Sequence, residues 1–217
     1  MAKQATTRDQ RMRQRLTQEA ARIMVDEGVR DYYQAKRKAA VRLAAPDTQN
    51  MPRNREIQEA VAEYQRLFQG EGQAQRLREL REAACEAMRF FGRFRPRLVG
   101  AVLDGTAGDW SDVSLHLFAD TPEELDLFLM DNGIPFEWAE RRLRFKRDAW
   151  ATMPVYRFVA GDVMVDMTVF TSDGLRQAPL SPVDGQPMSR ANLQAVEALL
   201  AGSGGQDDLL DIPLAGR

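Results

Sequence analysis

The stretch of sequence that decides the fold runs from Leu103 to Leu115 and reads LDGTAGDWSDVSL. The apolar run 98–103 leads into it and stops at Asp104-Gly105, a pattern typical of a short strand that ends in a turn. After the loop, apolar and polar residues alternate over 112–117, which predicts a strand whose two faces differ. The stretch therefore predicts a strand, a loop and a second strand in succession.

The residues that follow predict one helix and three more strands. A helix is predicted from Asp120 to Gly133, because a candidate N-cap, a proline and early acidic residues open it. Strands are predicted at about 135–146, 155–160 and 163–170, and Gly161-Asp162 predicts a hairpin between the last two. Helix and strand signals thus alternate in this part of the chain.

A proline-rich segment over 175–188 leads to Ser189 and a predicted closing helix that contains Leu193 and Val196. The proline-rich segment has two interpretations. It folds over a binding site as a lid, or it is a surface connection kept rigid by its prolines. The tail from Gly202 is rich in Gly and Asp and is expected to be flexible.

Four helices are predicted on the N-terminal side, each from an apolar stripe at three- and four-residue spacing. They cover about 8–28, 31–43, 54–68 and a fourth segment that ends near Gly92. Asp31 and Asn54 are the predicted N-caps of the second and third helices. The Gly70-Glu71-Gly72 break predicts a boundary, so we divide the chain into a basic helical region 1–72, a domain 73–201 and a tail 202–217.

Charge is distributed unevenly along the chain. Residues 1–100 carry 21 Lys/Arg and 13 Asp/Glu, a charge of +8, whereas residues 101–217 carry 9 and 19, a charge of −10. The basic N-terminal helices suit a nucleic acid. Equally, the two halves of the chain can face each other, within one molecule or between two.

Targeting signals and membrane spans are not evident in the sequence. No stretch reaches the roughly 20 apolar residues of a membrane span, and the N-terminus lacks the apolar core of a signal peptide. Cys85 is the single cysteine, so no disulfide can form within the chain. These observations predict a cytoplasmic protein that does not enter a membrane.

The stretch 103–115 resembles the signature of the nucleotidyltransferase fold shared by polymerase-β-like enzymes and antibiotic nucleotidyltransferases. In that family, Gly-Ser or Gly-Gly ends a strand and two carboxylates two residues apart open the next. Gly105 and Thr106 match the first pair, Asp112 matches the first carboxylate, and Asp166 matches a third carboxylate on a neighbouring strand. Ser114 stands where the family has its second carboxylate.

Two further stretches, 39–68 and 175–185, look like a bacterial group of about this length described as nucleotidyltransferase-like. The resemblance implies an α+β fold, in which a helical N-terminal region precedes a nucleotidyltransferase-type mixed sheet with flanking helices. It implies transfer of a nucleotidyl group from a nucleoside triphosphate with Mg²⁺. Asp112 would then be a metal ligand, and Asp166 a metal ligand or general base.

The residues expected to bind the nucleotide are Gly105, Thr106, Ser111, Ser114, Arg176 and Arg190. The two arginines are included because a planar guanidinium suits bidentate contacts with phosphate. His116 lies on the same strand face as Ser114, and a hydrogen-bonded structural histidine is its simplest interpretation.

The replacement at Ser114 keeps a second function open, because a neutral hydroxyl is a weak ligand for Mg²⁺. In that reading the protein is a catalytically degenerate relative that binds a nucleotide, RNA or a protein partner. A third reading, a helical adaptor that dimerises through its basic half, needs no site.

Overall fold

The computed structural model describes residues 7–46, 48–146 and 148–202, and it has an α+β fold. Four helices come first, and a mixed sheet with flanking helices follows. The helices are α1 (Thr7–Asp26), α2 (Tyr32–Arg42), α3 (Asn54–Phe68), α4 (Gly70–Phe90), α5 (Ala101–Asp104), α6 (Glu123–Asp131) and α7 (Leu193–Gly202). The strands are β1 (Arg97–Val99), β2 (Val113–Ala119), β3 (Glu137–Lys146), β4 (Ala149–Ala160) and β5 (Val163–Thr171).

Helices α1, α2 and α3 pack around a core of their own. Leu16, Ile23 and Ile57 are fully buried there, and the small residues Ala35 and Ala39 let α2 approach closely. Asp31 caps α2 as predicted, since its carboxylate accepts a hydrogen bond from the Gln34 N–H at 2.7 Å.

The predicted stripe of α3 is partly wrong. The apolar spacing of Ile57, Val61 and Tyr64 continues to Phe68 and predicts that it is buried, but Phe68 is 71% exposed, whereas Gln65 is only 4% exposed. The predicted cap is also wrong, because Asn54 is the first residue of the helix and its side chain donates to the Pro182 carbonyl at 2.6 Å. The buried face of α3 therefore runs through Ile57, Val61 and Gln65 and carries a polar residue.

The Gly70-Glu71-Gly72 segment is not a loop. Only Gln69 separates α3 from α4, and Gly70, at a φ of 37°, opens α4. The second hydrophobic core begins at Leu80 in α4 and reaches Val196 in α7, so separate cores lie on either side of this junction.

The five strands form one sheet in the order β1-β2-β5-β4-β3. β2 and β5 are parallel, and the other neighbouring pairs are antiparallel. The register places Ser114 opposite Asp166, and Asp166 opposite Arg157 of β4. Leu115 and Met167 are fully buried in the second core, and the Ser114 and Asp166 side chains lie on the other face because successive residues of a strand alternate.

The predicted first strand is too long. Only Arg97–Val99 is extended, because Gly100 adopts a φ of 72° and turns the chain into α5. Residues 101–103, which were expected to be strand, form this short helix instead. A glycine permits the turn at low cost since it has no Cβ.

The hairpin at Gly161-Asp162 is confirmed, with Gly161 at a φ of 59°. β4 begins at Ala149, six residues before the predicted strand. Pro154 lies inside this extension, where β4 pairs with β3 but not yet with β5, whose pairing begins at Val155. The missing N–H of the proline is tolerated because one side of β4 is unpaired there.

The closing helix is confirmed, and Asn192 caps it. The Asn192 side chain accepts from the Ala195 N–H at 2.9 Å. The predicted flexible tail lies, apart from Gly202, outside the described residues. Among the helices of the described ranges, none is long and apolar enough to cross a membrane.

The turn between α1 and α2 lies directly against the loop that precedes β2. Gly28 has a φ of 65°, and a Cβ built there would lie 2.8 Å from Cγ of Trp110. We expect Gly28→Ala to lower the free energy of unfolding by roughly 1–2 kcal/mol, from backbone strain and steric overlap. Gly72→Ala is the matched control: it lies in α4 with no atom within 4 Å of its Cβ, and it should leave stability unchanged or raise it. Urea titration measures both, and equal effects would contradict the close packing at Gly28.

Candidate functional site: a cavity between the helical region and the sheet

The loop that connects α5 to β2, residues 105–112, is held by two glutamines of the N-terminal helices. Gln65 of α3 donates to the Thr106 carbonyl at 3.0 Å, and Gln73 of α4 donates to the Gly105 and Ala107 carbonyls at 3.2 and 2.9 Å. We call this segment the motif loop. Its conformation depends on side chains far away in the sequence.

Several backbone N–H groups of the motif loop are used within the loop itself. Those of Gly105 and Thr106 both donate to the Ala101 carbonyl. The Gly108 N–H donates to Ser111 Oγ at 3.0 Å, and the Ser111 N–H donates back to the Gly108 carbonyl at 3.0 Å. Because these donors are occupied, side chains rather than the Gly105-Thr106 backbone are the groups best placed to contact an anion.

Asp112 is paired with Arg30, which comes from the turn between α1 and α2. The two Nη atoms of Arg30 donate to both carboxylate oxygens of Asp112, one of them at 2.8 Å, and Nη2 also donates to the Trp110 carbonyl. The Asp112 side chain is 13% exposed, whereas that of Arg30 is 60% exposed. The first carboxylate of the motif is thus neutralised by an arginine of the helical region.

Asp166 is paired with two arginines from neighbouring strands. Arg141 of β3 donates to both carboxylate oxygens at 2.8 Å, and Arg157 of β4 donates to one of them at 2.8 Å. Arg141 also donates to the Thr168 hydroxyl at 3.0 Å. The Asp166 side chain is only 6% exposed, so its charge depends on these partners.

The pKa values reflect this pairing. Burial raises the pKa of Asp166, but hydrogen bonds and charge from Arg141 and Arg157 outweigh it and leave the pKa below its usual value. The pKa of Arg157 is raised, first by its hydrogen bond to Asp166 and, among other causes, by the charge of Asp112. Three guanidiniums therefore lie near two carboxylates, which leaves a surplus of one positive charge.

The donor set does not fit a hard divalent cation. Mg²⁺ binding relies on carboxylate oxygens that are free to coordinate, and both Asp112 and Asp166 are bonded to guanidiniums. Ser114 supplies only a hydroxyl, and no cluster of three or more metal-binding side chains occurs in the described part of the chain. Mg²⁺ binding at Asp112 and Asp166 stays a prediction.

Buried His116 pairs with the partly buried Arg190 farther along the same face of the sheet. Arg190 Nε donates to His116 Nδ1 at 2.9 Å, and the Arg190 guanidinium lies over the rings of Phe118 and Phe170, at 5.1 and 4.9 Å from their centroids. Burial, and then the charges of Arg190 and Arg141, lower the pKa of His116 to about 3. Because Nδ1 accepts a hydrogen bond, His116 is neutral and structural.

A cavity of about 420 Å³ lies between the helical region and the motif loop. Its wall joins motif residues to arginines, aromatic residues and the proline-rich segment. The lining includes Val25, Gly28, Arg30, Tyr32, Gln58, Val61, Gln65, Thr106, Trp110, Ser111, Asp112, Ser114, Arg141 and Pro182. The volume falls within the roughly 300–1,000 Å³ of small-molecule sites.

Four of the expected site residues do not line this cavity. Gly105 contributes its carbonyl to the Gln73 contact, Asp166 lies behind Arg141, and Arg190 is bonded to His116. Arg176 is exposed and follows a short 3-10 helix. The proline-rich segment does reach the cavity, but through Pro182 rather than through either of its expected arginines.

Many basic residues of the N-terminal helices are engaged in ion pairs. Arg13 pairs with Glu56 at 2.6 Å, and Arg42 pairs with Glu27 at 2.6 Å. Across the two halves of the chain, Arg30 pairs with Asp112 and Arg89 with Glu197. These contacts support packing of the halves against each other, and nucleic-acid binding stays a prediction.

Comparison with protein families, curated proteins and solved structures finds no match to this chain. The resemblance to nucleotidyltransferases stays a prediction.

Asp166→Asn should lower the free energy of unfolding by about 2–3 kcal/mol. The amide leaves two guanidiniums without their counter-charge, and the effect stays below the roughly 3–5 kcal/mol of a fully buried pair because Arg141 and Arg157 are partly exposed. Asp112→Asn is the control, and its pair with the exposed Arg30 should contribute below about 1 kcal/mol. Urea denaturation that ranks the two variants in the opposite order would contradict this account.

Stability should fall as the pH drops from 7 to 5. His116 is the only histidine, and its pKa of about 3 in the folded protein lies below its ordinary value of 6.5. Between these values the unfolded chain binds the extra proton, so the folded state loses about 2 kcal/mol by pH 5. Thermal denaturation at pH 7, 6 and 5 measures this loss, and His116→Gln should largely abolish it. A pH-independent midpoint in the native protein would refute the assignment.

Proposed function

We propose that the protein is a catalytically degenerate nucleotidyltransferase-fold protein that binds a nucleotide in the cavity beside the motif loop. In this proposal arginine guanidiniums neutralise the phosphate charge, as Mg²⁺ does in active nucleotidyltransferases. The observation that carries it is the pairing of both motif carboxylates with arginines.

The charge of the site supports an anionic ligand. Arg30 and Arg141 both line the cavity and balance Asp112 and Asp166, and Arg157 supplies a further positive charge beside them. The hydrogen bonds to Asp112, Trp110, Asp166 and Thr168 use only three N–H groups of each lining guanidinium, and a guanidinium has five. Thr106 and Ser114, which both carry a hydroxyl group, line the same cavity.

The composition of the wall supports a ligand that is partly apolar. Tyr32, Val61 and Trp110 line the cavity together with the arginines. A nucleotide has a planar base and an anionic end, which matches a wall that combines aromatic, apolar and cationic residues. We also propose that the protein is cytoplasmic. The cytoplasm is a reducing compartment, which suits the single, buried Cys85.

The proposal predicts nucleotide binding that does not require a divalent cation. Calorimetric titration with each nucleoside triphosphate should give the same dissociation constant, within about twofold, in EDTA and in Mg²⁺. Arg30→Gln should weaken binding by about tenfold or more, through loss of charge-assisted hydrogen bonds. Arg55→Gln is the matched control, because Arg55 is exposed and pairs only with Glu59 on its own helix in the described structure.

Binding that needs Mg²⁺ and disappears in Asp112→Asn would instead favour the active enzyme. In that case the cation would displace Arg30 from Asp112, and Ser114→Asp should tighten metal binding. Absence of binding by all four nucleotides in both conditions would refute the proposal.

A further inference from the structure

Helix α3 contributes a row of three residues to the wall of the cavity. Gln58, Val61 and Gln65 follow one another at spacings of three and four, so they share one face of the helix. Gln65 is 4% exposed and Val61 is 8% exposed. A buried amide at this position calls for an explanation, because polar side chains in protein interiors are almost always fully hydrogen-bonded.

The orientation of each amide is fixed by what its NH₂ group contacts. Gln65 donates to the Thr106 carbonyl at 3.0 Å. The pKa of Asp104 is raised by burial, and a hydrogen bond from Gln58 opposes this rise, which places the Gln58 NH₂ group beside that carboxylate. Rotating either amide by half a turn would place two acceptor oxygens against each other. The free end of each side chain is therefore its carbonyl oxygen, Oε1.

Neither of these two oxygens has a hydrogen-bond partner among the described residues, although both are shielded from solvent. A buried acceptor without a donor is unfavourable. Both residues line the cavity, so a ligand that reaches these oxygens from the cavity can supply the missing N–H groups. A ligand that offers a further acceptor at the same place is disfavoured.

The rest of the wall limits the form of such a ligand. Val25, Val29 and Tyr32 line the cavity together with the α3 row, and Trp110 of the motif loop also lines it. Arg30 and Arg141 belong to the same wall. The site therefore combines apolar and aromatic surface, two acceptor oxygens and cationic groups.

We propose that the α3 row recognises a nucleobase that carries an exocyclic amino group, with Gln65 Oε1 accepting from that group and Gln58 Oε1 as a second acceptor. The proposal rests on the nucleotide-binding function proposed above and adds a preference to it. Adenine and cytosine satisfy the acceptors. Hypoxanthine and uracil present a carbonyl oxygen in place of the amino group and are disfavoured.

The test is a set of matched pairs titrated by calorimetry in EDTA. The pairs are AMP with IMP, CMP with UMP, and the nucleosides adenosine with inosine. Within each pair an amino group is replaced by a carbonyl oxygen, and the neighbouring ring nitrogen gains a proton. We expect the amino member to bind about tenfold more tightly or better, the difference expected for one buried hydrogen bond replaced by a repulsive contact. Gln65→Met should reduce this ratio to within about twofold.

Gln73→Met is the matched control. Gln73 also donates to the motif loop, through two carbonyls, but it does not line the cavity. Its variant should keep the amino preference even if the loop is loosened. If Gln65→Met fails to fold, Gln58→Met takes its place, and it should reduce the preference in part.

The outcomes separate this proposal from the function on which it rests. Nucleotides that bind without an amino preference would overturn the role of the α3 row and leave nucleotide binding intact. Adenosine that binds as tightly as AMP, with inosine rejected, would overturn the role of the arginines and support base recognition. The inference would be overturned if Gln65→Met, or Gln58→Met in its place, kept the full amino preference. It would also be overturned if no member of the set bound.

Discussion

The structure around the site depends on the buried charge of Asp166. One carboxylate on β5 accepts hydrogen bonds from Arg157 of β4 and Arg141 of β3, so a single anion connects three neighbouring strands. A buried carboxylate without such partners would cost several kcal/mol. With them, its charge persists in the interior. The same contact draws the long side chain of Arg141 across β4 and places it at the wall of the cavity.

Around this ion cluster, the helical region and the sheet each supply half of one site. The sheet contributes Ser114 and Arg141, and the turn between α1 and α2 contributes Arg30. The motif loop between them takes its shape from side chains that donate to its carbonyls, chiefly those of Gln65 and Gln73. The two regions have separate hydrophobic cores, but the cavity needs both. Fixed cationic side chains have a geometric advantage here, because a guanidinium does not require the octahedral ligand set that Mg²⁺ demands.

The sequence predicted the parts of the fold that depend on local periodicity. The four N-terminal helices and β2 follow from the spacing of apolar residues, and the Gly161-Asp162 turn signal predicted the β4–β5 hairpin. It failed where one residue overrides a pattern, as at Gly100, whose positive φ ends β1 early. It also failed where a strand is paired on one side only, as at Pro154. The partners of Asp166 could not be derived, because they depend on the order of the strands. A signal for the α3 row was present, since Gln58 and Gln65 flank the apolar stripe at helical spacing, but such residues on an isolated helix are normally exposed.

The contacts of the motif loop also bear on how the chain reaches its native state. Arg30 and Asp112 are 82 residues apart, and Gln65 and Thr106 are 41 residues apart. Contacts of such long range form slowly, because the entropy of closing the intervening chain must be overcome first. During synthesis, however, the N-terminal helices emerge before the loop and can pack around their own core of Leu16, Ile23 and Ile57. If these helices pack before the loop is synthesised, the loop meets a surface that is already formed, and synthesis from the N-terminus shortens the search that refolding from denaturant requires.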